Sequence, residues 1–310
     1  DIVLDTYTAW IASDLGMLDM LKEYFGEVLV IQSSVDSMRQ LVREFALHDG
    51  AGLSVGWRHG AFIKTEYTEA ELKGQIDKYT ARIESLESKC QIVQFDFPGG
   101  LDELTELLLE ISSESIEPYF IAKESNALLV SDDGYSRGFA KNAYELTDSA
   151  WLQAIANEMM REGTLSAQAY VDIVFGLCLY KHTSVSIHSS VIDSVFERDS
   201  TSGLDEFRVI CDYVGGPSAE EKSHIDLVLR FVARNWYFAY NPTNSEAMEK
   251  LLQISSGDAY PSAKVMKATS ILLERVRLMP NGVKLLNDLL SIPAPRFKKF
   301  VVSWWEGHFY

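Results

Sequence analysis

Asn126-Ala-Leu-Leu-Val-Ser-Asp-Asp-Gly-Tyr-Ser-Arg137 places two adjacent carboxylates, Asp132 and Asp133, directly after a short apolar run. Leu128, Leu129 and Val130 are bounded by polar residues and Gly134, which predicts a buried strand ending at this acidic pair. In open α/β sheets the carboxyl edge of the strands is where ligands bind. The chain opens in the same way: Ile2-Val3-Leu4 is an apolar run ending in Asp5, followed by a helical pattern from Tyr7 to Glu23. Two such strands side by side bring three carboxylates together. Carboxylates that close repel one another, so a cluster of this kind usually serves to hold a hard divalent cation. The competing reading makes Asp132 and Asp133 turn and helix-cap residues.

Working outward, Trp10, Ile11, Leu15, Leu18, Leu21, Tyr24 and Phe25 recur at three- and four-residue steps, one face of a helix that Gly26 ends. Val28–Ile31 reads as a second strand, and Ser33-Ser34 as the N-cap of a helix carrying Val35, Met38, Leu41, Val42 and Phe45. This β-α-β-α opening predicts a parallel sheet, with Asp36 in the first turn of the second helix and near the edge that carries Asp5.

Further along, Leu53 to Lys64 reads as a hairpin. Glu69 to Lys89 is a charged helix with a narrow apolar seam, and its charge run is a solvated face. His48 and His59 read as loop residues. Ile92, Val93 and Phe95 add a strand, and Leu101 to Ile111 a helix. After the acidic pair we expect a helix from Tyr135 to Ala143, an edge strand at Tyr144 to Thr147, and Asp148-Ser149 capping a helix from Trp151 to Arg161. The boundary falls after residue 163, giving an α/β domain at 1–163 with an insertion at about 57–124.

From Thr164 the texture is all-helical, with segments at about 164–180, 185–198, 204–214, 218–239, 244–255, 259–278, 281–291 and 294–306. Gly215-Gly216-Pro217, Asn241-Pro242 and Pro280-Asn-Gly282 separate them as simple turns. Paired helices at this spacing predict a solenoid-like or irregular helical domain at 164–310 without a nucleotide pocket. The aromatic cluster Phe231, Trp236, Tyr237, Phe238 and Tyr240 reads as interhelix core, with a base-stacking surface as the alternative.

The chain has 45 acidic and 28 basic residues, a net charge of −17, which argues against broad electrostatic attraction to nucleic acid and leaves room only for a local site. Cys90, Cys178 and Cys211 are widely spaced and without a C-x-x-C pair, so neither a disulfide framework nor a zinc site is indicated, and a cytoplasmic, reducing compartment fits. No apolar stretch is long enough to span a membrane. The opening Asp1 and the aromatic close Trp304–Tyr310 are expected of a piece of a longer chain.

Ile2-Val-Leu-Asp-Thr6, Ile31-Gln-Ser-Ser-Val-Asp36 and Leu128-Leu-Val-Ser-Asp-Asp-Gly-Tyr-Ser-Arg137 together resemble the PIN-like nuclease domain over residues 1 to about 160. The helical remainder is similar to the repeat arrays fused to PIN-like modules in some large bacterial proteins. The resemblance implies one or two Mg²⁺ or Mn²⁺ ions and phosphodiester hydrolysis, usually of RNA. It assigns Asp5 as main ligand and Asp133 as second, with Asp132 orienting water. Asp36 stands where the family usually has Glu, and Asp148 is the candidate for a fourth acid. A PIN-like fold that has lost its chemistry and serves as a scaffold, recruiting a protein partner through the helical region, is the alternative. A haloacid-dehalogenase-type phosphatase would need a second acid two residues after Asp5, where this chain has Tyr7.

Overall fold

The computed structural model describes residues 1–47, 52–58, 61–97, 103–182, 185–216, 221–236, 262–279, 282, 284, 287 and 295–309. The chain divides into two compact units, Asp1–Glu162 and Gly163–Tyr310. The first is built on a five-stranded, all-parallel sheet of β1 (Ile2–Leu4), β2 (Val28–Ile31), β5 (Gln91–Val93), β6 (Leu128–Val130) and β7 (Ser149–Ala150), in the order β5-β2-β1-β6-β7. Short continuous apolar runs form these central strands because both faces of a parallel sheet are covered. Val3, Leu29, Ile31 and Leu129 share one face and pack on Ile116 and Tyr119 of α5 (Glu103–Glu124) and on Ala140 of α6 (Gly134–Tyr144). Ile2, Leu4, Val28, Val30 and Val130 have the opposite parity and are also buried.

The expected single helix after Asp5 is two, α1 (Thr6–Asp14) and α2 (Leu18–Phe25), because Gly16 turns the chain at φ +67°. Then α3 (Gln32–Ala46) begins directly after β2, with Ile31 in the cap position, so Ser33 and Ser34 lie inside its first turn and do not cap it. The hairpin is present as β3 (Gly52–Arg58) paired antiparallel with β4 (Ala61–Tyr67), apart from the main sheet, with Leu53, Val55, Trp57 and Phe62 exposed. It leads into α4 (Glu69–Lys89), which opens with a Thr68/Glu71 capping box.

In α5 the helix outruns the sequence expectation, running through Pro118 with a break in helical geometry at Ser112. The edge strand expected at 144–147 is displaced to β7, because α6 continues to Tyr144 and Glu145 ends it in the left-handed conformation at φ +58°. The unit closes with α7 (Leu152–Arg161).

The second unit is helical at every described element: α8 (Ala167–Leu179), α9 (Ser189–Arg198), α10 (Asp205–Cys211), α11 (Glu221–Trp236), α12 (Ala263–Leu278) and α13 (Pro295–Phe309). Among the described residues it contains no strand. Each of α8 to α12 packs on helices near it in sequence. Phe196, Phe207 and Phe231 meet with ring centroids 5.3–5.6 Å apart. Trp236 packs on Phe297 at 5.1 Å and donates its indole N–H to Thr269 Oγ1 at 2.8 Å, so this part of the aromatic cluster is interhelix core. Tyr237, Phe238, Tyr240, His48, His59 and the helices expected at 244–255 and, but for three single positions, 281–291 lie outside the described residues. No described helix is long and apolar enough to cross a membrane.

Candidate active site

Strands β1 and β6 are neighbours, with Leu4 paired to Val130, so Asp5 and Ser131 leave the sheet side by side at its carboxyl edge. Asp5, Asp132 and Asp133 form a graded series there: Asp5 is buried, Asp132 half-buried and Asp133 exposed. Each carboxylate holds the start of a helix through Oδ1. Asp5 accepts the backbone N–H of Thr8 at 2.7 Å, Asp133 that of Tyr135 at 2.8 Å, and Asp132 that of Leu152 at 2.8 Å. The capping reading is therefore fulfilled without dispersing the cluster. One detail differs from expectation: Asp132, and not Asp148, secures the start of α7.

Two hydroxyls tie the acidic loop to Asp5. Thr8 Oγ1 accepts the Asp132 N–H at 2.8 Å and hydrogen-bonds the Asp5 carboxylate, while Ser131 does the same between the Asp133 N–H, at 3.3 Å, and Asp5. Even so, burial pushes the Asp5 carboxyl above its ordinary value, the hydrogen bonds only partly opposing it and the charge of Asp133 adding to it. Burial likewise pushes Asp132 up to about 6; the Leu152 N–H pulls it down, Asp5 pushes it further up, and Arg137 opposes. The neighbouring Tyr7 hydroxyl is raised by burial and by the charges of Asp132 and Asp5.

A proline in α5 shapes the surroundings of Thr6, just past the end of β1. Pro118 has no N–H, so the carbonyl of Glu114, four residues earlier in α5, lacks its helical donor. Thr6 Oγ1 donates to that carbonyl at 3.1 Å and lies 2.5 Å from Ser34 Oγ, on the first turn of α3. Ser33 Oγ donates to Glu117 at 2.5 Å. Next to this, the Tyr119 hydroxyl meets Ser136 Oγ at 2.7 Å and feels the charges of Asp5 and Asp133. Sequence reasoning missed Thr8, Ser34 and Ser131. Thr8 carried a signal, since a residue three after a strand-ending Asp is where an N-cap carboxylate finds its donor.

Asp36 and Asp148 are not brought to this cluster. Asp36 has a side chain 58% exposed and accepts from Gln32 at 2.9 Å and Arg39 at 3.0 Å, while the α3 side chain that reaches Thr6 is the fully buried Ser34. Asp148 is exposed and sits level with Leu128, three residues back along the strand from Ser131, about 10 Å at the usual rise. Its carbonyl serves the sheet, accepting the Leu129 N–H at 3.2 Å. Arg137 donates to the Ser131 carbonyl and lies over the Trp151 ring, 5.1 Å from its centroid, so it braces the acidic turn.

Residues 3–142 match the model of a family described as "PIN domain associated with the TPR-GreAB-C-PIN system". The N-terminal unit is a PIN-like domain. Its parallel sheet carries the acids at the carboxyl edge, and a helical region follows it. No curated protein and no solved structure matches the chain.

Proposed function

We propose that the PIN-like unit is a divalent-metal-dependent nuclease module that hydrolyses phosphodiester bonds in RNA and is joined to a helical scaffold. The observation that carries the reading is the gathering of Asp5, Asp132 and Asp133 at one sheet edge, with Asp5 and Asp132 raised above the ordinary carboxylate range. The donor set suits Mg²⁺ or Mn²⁺: it consists of carboxylate and hydroxyl oxygens, and Mg²⁺ is commonly held by one or two carboxylates with water and substrate phosphate completing its shell. In this reading Asp5 and Asp133 hold the ion. When bound there, it supplies countercharge to the phosphoryl oxygens and makes the attacking water more acidic.

The chain's own residues do the rest. Thr8 and Ser131 orient Asp5, and the Leu152 N–H orients Asp132. Asp132, held by the Leu152 N–H at the same edge, is placed to take a proton from the attacking water. Three buried thiols, those of Cys90 and Cys178 pushed up to about 12, accord with the cytoplasmic setting we assign.

A second reading draws on one observation: among the described residues, no group of three or more His, Cys, Asp or Glu side chains is arranged to hold an ion by itself. It makes the unit a catalytically weakened PIN-like fold, with the helical region as a protein-docking scaffold. Labelled single-stranded RNA incubated with the whole chain separates the two. We expect cleavage with Mn²⁺ or Mg²⁺, none with a chelator, and a loss of about a thousandfold or more in Asp5→Asn. An inert native chain, or an Asp5→Asn variant as fast as the native one, removes the nuclease reading.

A further inference from the structure

Three aromatic side chains stand exposed beside the three acids. Tyr7, between Asp5 and Thr8 in the first turn of α1, is 49% exposed. Tyr135, whose backbone N–H donates to Asp133, is 91% exposed. Trp151, one residue before the N–H that holds Asp132, is 43% exposed. Apart from Trp57 and Phe62, which pair on the exposed hairpin, the rings packed behind the sheet edge turn inward. Phe95, Phe97, Phe120, Tyr119, Phe139 and Tyr144 pack on one another in a continuous series, centroids 4.8–6.2 Å apart. Large exposed rings gathered at one edge mark a contact surface more often than rings scattered singly.

We propose that Tyr7, Tyr135 and Trp151 form a base-stacking collar that seats single-stranded nucleic acid across the carboxylate site. The proposal rests on the nuclease reading and adds the means by which the strand is held. Net charge decides the occupant's mode of binding. A chain of −17 repels a polyphosphate at long range, so affinity must come from short-range contacts, and ring-on-base stacking is the contact that needs no cationic groove. A duplex hides its base faces, whereas an unpaired strand offers them. Arg137 supplies one cation within the collar, fixed over Trp151 and by the Ser131 carbonyl. The neighbouring acids then meet the phosphodiester that links stacked nucleotides.

The test is fluorescence anisotropy of the whole chain with a labelled short oligoadenylate, an abasic strand of the same length and charge, and a base-paired hairpin, all in chelator so that nothing is cut. We expect the oligoadenylate to bind and the other two to bind weakly. Tyr135→Ala and Trp151→Ala should each weaken the oligoadenylate by about tenfold and leave the abasic strand unchanged. Trp151→Phe should retain most of the affinity, which guards against a variant that merely misfolds. Salt dependence should be shallow, because few phosphates are neutralised. Equal binding of natural and abasic strands, or unaltered affinity in both alanine variants, overturns the collar. Base-dependent binding without Mn²⁺-dependent cleavage keeps the collar and removes the hydrolysis, and cleavage without base dependence does the reverse.

Discussion

Asp5 in the PIN-like unit and Asp199 in the helical unit are both buried aspartates, 8% and 2% exposed, and their carboxyl groups are displaced in opposite directions. Asp199 closes a turn before α10. It accepts the Thr201 N–H at 2.9 Å, the Thr201 hydroxyl at 2.8 Å and, on its other oxygen, the Phe207 N–H at 3.0 Å. Burial pushes its acidity the unfavourable way, yet these donors outweigh it and hold the group below the ordinary carboxylate value. Asp5 also has donors, from Thr8 and Ser131, but the burial of its carboxylate outweighs them, and the charge of Asp133 adds a smaller push in the same direction. A buried carboxylate whose charge is fully answered is part of the architecture. One whose charge is left partly unanswered is where a cation or a proton has something to do.

The largest effect should come from removing the satisfied group. Asp199→Ala leaves the buried Phe207 N–H and the partly buried Thr201 N–H without this partner and should destabilise the chain by about 2–4 kcal/mol, read as a fall in the thermal midpoint. Because the folded Asp199 is more acidic than the unfolded one, its contribution exists above the ordinary carboxylate value and fades as pH falls through the lowered one. If the variant unfolds at the native midpoint near neutral pH, the donors around Asp199 are not what holds that turn.

Asp132 should behave in the opposite sense. Its folded value, about 6 against an ordinary 3.8, means the folded chain retains a proton that the unfolded chain has released between those two values. Stability from this group is therefore full at low pH and is lost as pH rises through about 6. Asp132→Asn keeps an oxygen for the Leu152 N–H and removes the buried charge. In chelator it should stabilise the chain by about 1–3 kcal/mol at pH 8 and by nearly nothing at pH 4. A variant less stable than the native chain at pH 8 would show that Asp132 is a cap like Asp199.

The sequence made the strands, the parallel sheet and the Asp5/Asp132/Asp133 edge legible because each depends on local pattern: short apolar runs, two of them leading into acid, with helices between. What it hid depends on contacts between residues far apart. Ser34 is a site neighbour only because α3 starts at Gln32, a turn earlier than the two serines imply as caps, and because Thr6 reaches it. The helix expected at Leu101 to Ile111 runs on through Pro118, and the Thr6 hydroxyl on the Glu114 carbonyl shows how the helix tolerates that residue. Tyr144 to Thr147 had strand-like composition, but the left-handed Glu145 moved the pairing to Ser149 and Ala150, and that shift left Asp148 at the amino end of the strand, away from Asp5 at the carboxyl edge.

The smallest effect should come from Asp36, which the sequence pattern placed near the edge that carries Asp5. Asp36 follows β2 as the family pattern leads one to expect, yet its carboxylate is spent on Gln32 and Arg39 at the exposed surface of α3, and Arg39 is shared with Glu87 of α4. Exposed pairs of this kind contribute little, so Asp36→Asn should shift stability by no more than about 0.5 kcal/mol. RNA cleavage should stay within about twofold of native, since the side chain is absent from the set that surrounds Asp5. The measurement is the cleavage assay with Mn²⁺, run beside Asp5→Asn. If Asp36→Asn falls as far as Asp5→Asn, then α3 must turn on binding the substrate to bring Asp36 inward, and the contrast between answered and unanswered carboxylates would have to include a group that the free chain holds at its surface.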